Sequence, residues 1–451
     1  MRFRSRALTI IVFAASLVGS VRAQTSGPSP RHITLSDAVQ LALKHNHEVR
    51  IAGYTVAENQ HAKDAARSGY FPHLTNQSQI FTVTDTQFIQ IAKGSLGTVG
   101  GTPIPTESAT LNQGGKTFAI SGTTLSEPLT QLFTRVKPAN EIASADLDAS
   151  RATERETVNE VALQVHQLYY QLLVTQLHRS ATEAKIHAAQ DLESERVEQV
   201  KYGSTLDEQL IESRAQTLEA KQDLLTADLQ ISDLTMQLND VMGLPITTAL
   251  DLDASAPEVK ESCQREECVT MALASHPEIL AARAQVEKAS AGVRLAKADY
   301  IPDVSAFAKY DYQSNVPFLA RNFGSFGAQL TYDLFDGGRR RAALGESEAK
   351  LGQASENLAQ VSEDVEVKVE TAWNKLDRTR EMVSVSQQIL ALRTESTRVT
   401  AQELLKGEAL QSQADAAAAQ EFDAKTMLLQ SQLNYIQAHD ELLQAMGLTP
   451  Q

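Results

Sequence analysis

Few side chains in this sequence are able to do chemistry, and their spacing argues against catalysis. Cys263 and Cys268 are the only cysteines, five residues apart. A redox dithiol would have closer spacing, and a metal site would need a second ligand pair. In an oxidising compartment the expected product is a disulfide that pins the start of the following helix. The loop it closes is small, which limits the entropic gain. His45 and His47 form the only close histidine pair, and alternate spacing on a helix sends their rings to different faces. His166, His178 and His187 are spread along one helix and read as surface or packing residues. Adjacent acids such as Glu363 and Asp364 read as charges on a solvated helix. No His-Glu-x-x-His, Gly-x-Ser-x-Gly or phosphate-binding glycine loop is present. The sequence reads as a non-enzyme with no cofactor and no metal.

The surrounding composition describes long helices. Of 451 residues 42% are apolar and only 5% aromatic, with 13 prolines and 22 glycines. The formal charge is −15. Four arginines and no acid fall in the first 23 residues, which leaves 37 basic against 56 acidic side chains, or −19. Such a field repels phosphate backbones and excludes a nucleic-acid partner. At the N-terminus, Arg2, Arg4 and Arg6 precede a largely apolar stretch over 7–18 and a small-residue exit at Ala23. Residues 1–23 are therefore expected to be a secretory signal peptide. No other apolar run is long enough for a membrane-spanning helix, so any insertion must use a barrel.

The rest of the chain is expected to be two copies of one unit. Residues 38–74 align on 268–304 at a constant offset of 230, with Tyr70-Phe71-Pro72 on Tyr300-Ile301-Pro302. A second pairing at an offset of 204 puts Gly203 on Gly407, Leu206 on Leu410 and Met242-Gly243-Leu244 on Met446-Gly447-Leu448. The first copy thus carries about 26 extra residues, placed in the aperiodic Gly/Thr/Ser/Pro-rich stretch 87–115. The boundaries that follow are 24–244 for the first repeat, 245–262 for a linker and 263–451 for the second repeat.

Each copy reads as a helix, two strands, a long helix and a returning helix. One helix is expected over 35–68, capped by Thr34 or Ser36 and stopped before Pro72. In the second copy Val304, Ala306, Ala308, Tyr310 and Tyr312 alternate with mainly polar residues, and so do Phe326, Ala328, Leu330, Tyr332 and Leu334. The first-copy strands, 74–85 and 116–125, alternate less clearly. Outward-apolar alternation over about ten residues suits a membrane-spanning strand. Of 22 aromatics beyond residue 23, 15 fall within 70–135 and 300–335, as interfacial girdles require. Four strands cannot close a barrel, because roughly eight is the smallest number known in membranes, so several chains must pool them. Two chains would give eight strands and three would give twelve.

The long helices are expected over 139–202 and 339–406, rods of about 96 and roughly 100 Å. Each ends at a glycine. The returning helices carry heptads, with Leu210, Thr217, Leu224, Ile231 and Leu238 seven apart, a coiled-coil period.

This duplicated order resembles the TolC-like outer-membrane efflux protein family. The resemblance rests on Ala42-Leu43 with Glu48-Val49, Ala272-Leu273 with His276-Pro277-Glu278-Ile279, the helix-ending Tyr70-Phe71-Pro72 and Tyr300-Ile301-Pro302, the run from Leu330 to Arg339, the tip glycines and the Met-Gly-Leu endings. It implies an α+β membrane protein: a homotrimer with a twelve-stranded β-barrel, four strands per chain, continued by a long α-helical coiled-coil barrel. It implies an exit duct through outer-membrane lipid, fed by an inner-membrane pump through a periplasmic adaptor protein. It also implies that Gly203, Leu206, Asp207, Gly407, Glu408, Leu410 and Asp415 lie at a periplasmic tip that contacts the adaptor or gates the duct. Gln413 and Ala416 stand where some relatives carry aspartates. The competing expectation is a periplasmic or secreted coiled-coil scaffold or adhesin with a soluble β head, from which the outward-apolar strands distinguish the duct.

Overall fold

In a computed structural model of the chain, residues 31–85, 88–112, 116–253, 263–314 and 320–450 are described. The expected signal peptide and residues 254–262 of the expected linker lie outside them.

The chain opens with β1 (Arg31–Ile33) and α1 (Leu35–His45), capped by the Thr34 hydroxyl, which accepts from the Asp37 N–H. The single helix expected over 35–68 is broken at Asn46, and α2 (His47–Ser68) restarts after it. The Asn46 backbone is non-helical, with ψ 136°, and its side-chain oxygen accepts from the N–H groups of Glu48 and Val49. A short polar side chain that satisfies new helix donors competes with helix continuation.

Then come β2 (His73–Thr82), the short strands β3 (Phe88–Ile91), β4 (Thr98–Val99), β5 (Thr102–Pro103) and β6 (Ala109–Asn112), and β7 (Thr117–Glu127). The stretch expected to be aperiodic over 87–115 thus carries two small antiparallel ladders, β3 with β6 and β4 with β5. A short α3 (Leu129–Gln131) and a π-helical turn over Leu132–Val136 lead into α4 (Lys137–Lys201), after which α5 (Asp207–Val241) returns. β8 (Leu250–Leu252) lies within the expected linker and pairs in parallel with β1. The second copy follows as α6 (Arg265–Ser275), α7 (Pro277–Ala298), β9 (Asp303–Ser314), β10 (Asn322–Thr331), α8 (Arg339–Lys406) and α9 (Gln411–Ala445).

Register explains the π turn. Leu74 pairs with Leu125, and its counterpart Val304 pairs with Leu330, an offset of 205 between β7 and β10. The tips Gly203 and Gly407 are offset by 204. Copy one therefore holds one extra residue between strand and tip, and a π turn is the helical geometry that absorbs it.

The main sheet has the order β10-β9-β7-β2, with every neighbouring pair antiparallel. Among the described residues neither β10 nor β2 has a strand on its far side. One face carries exposed Leu74, Ile80, Leu125, Tyr310, Phe326 and Leu330. The opposite face carries Lys309 bonded to a buried Asp311 at 2.9 Å. On the first face, copy one also holds Asn76, Ser78, Ser121 and Thr123, which hydrogen-bond to one another. That polar network is why alternation is weak there.

Two hydrophobic clusters hold the helices below the sheet. Ala38, Ala42, Val161, Val165, Leu168, Leu172, Leu234, Leu238, Val241 and Met242 belong to the first. Their counterparts at the two offsets form the second. Cys268 stands in the place of Ala38, followed in the same order by Ala272, Val365, Val369, Ala372, Leu376, Ala438, Leu442, Ala445 and Met446.

Candidate functional site

The tip is built by two helix ends of one kind. Gly203 and Gly407 have φ of +69° and +77°, in the left-handed region. The Gly203 and Ser204 N–H groups bond back to the Val200 and Gln199 carbonyls, and the Gly407 and Glu408 groups to Leu404 and Glu403. This closes each rod with a Schellman turn that only glycine enters without strain. The return helices start differently. Gln413 Oε1 accepts from the Leu410 N–H at 3.0 Å, so it caps α9. At the other tip the Thr205 hydroxyl donates to Gln209 Oε1, and Asp207 and Glu208 sit in the first turn of α5, where a helix favours anions.

Leu206, Leu410, Tyr202 and Leu405 are exposed at these turns. Tyr202 is the last residue of the rod expected over 139–202, and Leu405, an exposed leucine on a helix, has the sequence pattern of a packed one. Asp207 and Glu408 are exposed. Asp415 Oδ1 accepts from Gln411 at 2.9 Å, while its shielded Oδ2 has no hydrogen-bond partner. Lys185 of α4 reaches Asp423 of α9 at 3.0 Å, which holds the two hairpins side by side. Cys263 and Cys268 take no part in the tip. They are joined as a disulfide at the start of α6, with Cα atoms 5.5 Å apart.

A second cluster of polar side chains lies at the junction between the copies. There Glu156 of α4 meets His276 and Glu278, from the run that carries the family resemblance, a meeting that spacing along the chain does not announce. His276, the counterpart of Asn46, is buried and caps α7, its Nδ1 accepting from the Glu278 N–H at 3.2 Å. Burial holds the His276 pKa below the ordinary imidazole value, although the Gln444 carbonyl acts on the ring in the direction that favours its protonated form. Glu156 faces the pair. Burial first, then the Glu278 and Glu160 charges, push its pKa up to about 7. Glu156, His276 and Glu278 offer ligand atoms within 4.8 Å of one another. The Nδ1 atom is already engaged by the Glu278 N–H, so on this side the ring serves as a helix cap. Gly447 seals this junction: with φ of +76°, a Cβ there would lie 2.6 Å from Pro277 Cδ. Nearby, His166 and Asp440 form a buried pair at 2.6 Å that ties α4 to α9, and this bond, with the His439 ring 3.8 Å away, holds Asp440 below the usual carboxylate range despite its burial. Those two residues are 274 apart in sequence, and no local pattern announces the pairing.

At the junction of sheet and helix, Arg340 packs over the Tyr300 and Tyr332 rings and bonds Asp336 at 2.7 Å. Asp336 also accepts from the Gly338 and Arg340 N–H groups, and those bonds lower its pKa to about 2. The run from Leu330 to Arg339 is thus the hinge by which a strand becomes a rod.

Comparison with known proteins agrees with this architecture. Residues 268–448 match the family described as outer membrane efflux protein. The pyoverdine export outer membrane protein OpmQ of Pseudomonas putida is 28% identical over 224 residues, 48% of this chain and 46% of that protein. The chain thus aligns with about half the length of that relative. Among solved structures, CusC, whose crystal structures concern folding and transmembrane channel formation, has a TM-score of 0.71 at 17% identity, covering 92% of each chain. The outer membrane protein VceC of Vibrio cholerae has a TM-score of 0.72 at 16% identity, covering 92% of this chain and 96% of that one. At these identities the structural likeness speaks for the fold. The resemblance to TolC-like outer-membrane efflux proteins is borne out.

Proposed function

We propose that this TolC-like outer-membrane efflux protein is the outer-membrane exit duct of a tripartite efflux or secretion system. The observation that carries the reading is a four-stranded sheet that exposes Leu74, Ile80, Leu125, Tyr310, Phe326 and Leu330 on one face and, among the described residues, has no further strand at either edge, leading into two helical hairpins. Open edges are not tolerated in lipid, so the sheet must be completed by other chains. Three chains give twelve strands and a barrel wide enough for a water-filled lumen. The helices, at about 98 and 102 Å, then continue the lumen through the periplasm. A passive conduit needs no catalytic group, and substrate choice rests with the pump upstream.

On this reading the turns around Gly203 and Gly407 form the periplasmic entrance. Leu206 and Leu410 offer the adaptor an apolar contact, and Asp207, Glu408 and Asp415, repeated threefold, make the closed entrance cation-favouring. Protein extracted in detergent should run as a trimer and open pores in planar bilayers. A detergent-free soluble oligomer without conductance would instead identify a periplasmic scaffold. In the same bilayers Asp415→Asn should lower cation selectivity, and unchanged selectivity would remove Asp415 from the gate.

A further inference from the structure

The helical layer has two faces without a match inside the chain. α4 lies between α2 and α7, and α7 between α4 and α8. Of the long helices, α2 packs on α4 alone and buries no residue. At the other margin, α8 buries nothing before Val365.

The copies correspond where the helix before the strands packs on the long rod. Gly69 packs against Val136, and at the two offsets their counterparts Asp299 and Arg340 also touch, Arg340 donating to the Asp299 carbonyl. Packing of α2 on α4 is therefore the same contact as α7 on α8. Two helix contacts, α4 on α7 and α4 on α9, are left without a second version among the described residues. The counterpart of the first is α8 of one chain against α2 of another.

The charges on that contact can be followed by offset. Across α4 and α7, Asp146 pairs with Lys288 at 2.7 Å, and Glu141 pairs with Arg294. The counterparts of Asp146 and Lys288 are Lys350 and Glu58. Arg294 corresponds to Asp64, and Glu141 to Gly345, with Arg341 one turn before it. Lys137, the counterpart of Arg341, lines the same cavity as Glu141 and Arg294, which places Arg341 within reach of Asp64. Glu58, Asp64 and Arg341 are exposed and form no ion pair with the described residues, and Lys350 is held only by Glu346 of its own helix.

We propose that α8 of one subunit docks on α2 of the next, with Lys350 facing Glu58 and Arg341 facing Asp64, the reverse of the charge polarity used between α4 and α7. Inside the chain the copy-two helix is cationic and the copy-one rod anionic; between chains the copy-one helix is anionic and the copy-two rod cationic. Reversal gives each rod one correct neighbour. An α8 placed against a foreign α7 would set Lys350 on Lys288 and Arg341 on Arg294, a like-charge arrangement that disfavours the wrong order. The pairs thus fix strict alternation of the two copies around a closed ring.

This inference rests on the trimer reading, and cross-linking of the full-length protein in detergent tests the two separately. Glu58→Cys combined with Lys350→Cys should give covalent dimers and trimers on a non-reducing denaturing gel, and neither single variant should. Lys288→Cys with Asp146→Cys should close within one chain and run as a monomer. Lys350→Glu should lower trimer yield roughly tenfold, because three seams are affected at once, and Lys350→Glu with Glu58→Lys should restore it. A wild-type trimer whose paired cysteines fail to cross-link, with yield indifferent to charge reversal, would overturn the seam and leave the duct standing. A monomeric wild type would overturn both.

Discussion

The two hydrophobic clusters hold equivalent places with unequal means. Where copy one has Leu168, Leu234 and Val241, copy two has Ala372, Ala438 and Ala445. The first cluster is also closed by the short sheet of β1 and β8, fastened through the Tyr169 hydroxyl against the Ile33 and Asp253 carbonyls. The second has no such sheet among the described residues. At the positions of buried Ile33 and Ala38 it has Cys263 and Cys268, joined covalently. A duplicated unit can thus lose side-chain volume and keep its geometry when a short covalent loop replaces the lost packing.

Leucine truncation should separate the copies most strongly. Leu238→Ala should cost about 4 kcal/mol and Leu442→Ala about 3, because the alanine-rich surroundings of Leu442 hold fewer atoms to lose contact with. Denaturant unfolding in detergent measures both, and an equal or reversed order would mean that the two clusters are packed alike. Replacing Cys263 and Cys268 by serine should cost about 2 kcal/mol, with copy two opening before copy one in hydrogen exchange. Uniform loss of protection in both copies would contradict the compensation.

A smaller effect separates the copies at Glu156, whose counterpart in copy two is Gln360. With its pKa raised from 4.5 to about 7, Glu156 favours the folded state most below pH 4.5, and this contribution is lost as pH rises through 7. Its partial exposure reduces the effect to about 1 kcal/mol. Glu156→Gln should therefore stabilise the protein at pH 8 and change it little at pH 5. A variant destabilised at pH 8 would show that the carboxylate is a needed partner there. Effects of the same size belong to the tips. Gly203→Ala and Gly407→Ala meet open space, so only the left-handed backbone is penalised, by about 1 kcal/mol, whereas Gly447→Ala also meets Pro277. Equal losses at Gly407 and Gly447 would mean that the junction yields more readily than its packing implies.

Much of the fold was legible because its punctuation is chemical. Glycine at 203 and 407, proline at 72 and 302, and the long stretches without either set the rods and strands to within a few residues. What could not be read has physical causes too. The break at Asn46 interrupts no apolar period, so the stretch 35–68 looks continuous until the cap forms. In copy one, the hydroxyl and amide network on the outward face replaces the alternation that marks a strand. The tip was legible in its turns, but the role of Gln413 as a cap depends on backbone direction. The buried His166–Asp440 pair and the Glu156 junction join residues from distant parts of the chain, where spacing carries no information.

If this chain is one sector of a closed ring, β2 and α2 of each subunit complete the β10 and α8 of a neighbour. A three-dimensional reconstruction of detergent-extracted protein would show whether they do. The expected particle is threefold, with twelve continuous strands, β2 of each subunit hydrogen-bonded to β10 of the next, above twelve helices around one lumen. A particle whose four-stranded sheet folds back on itself within one chain, or whose subunits meet through any other pair of edges, would contradict the ring.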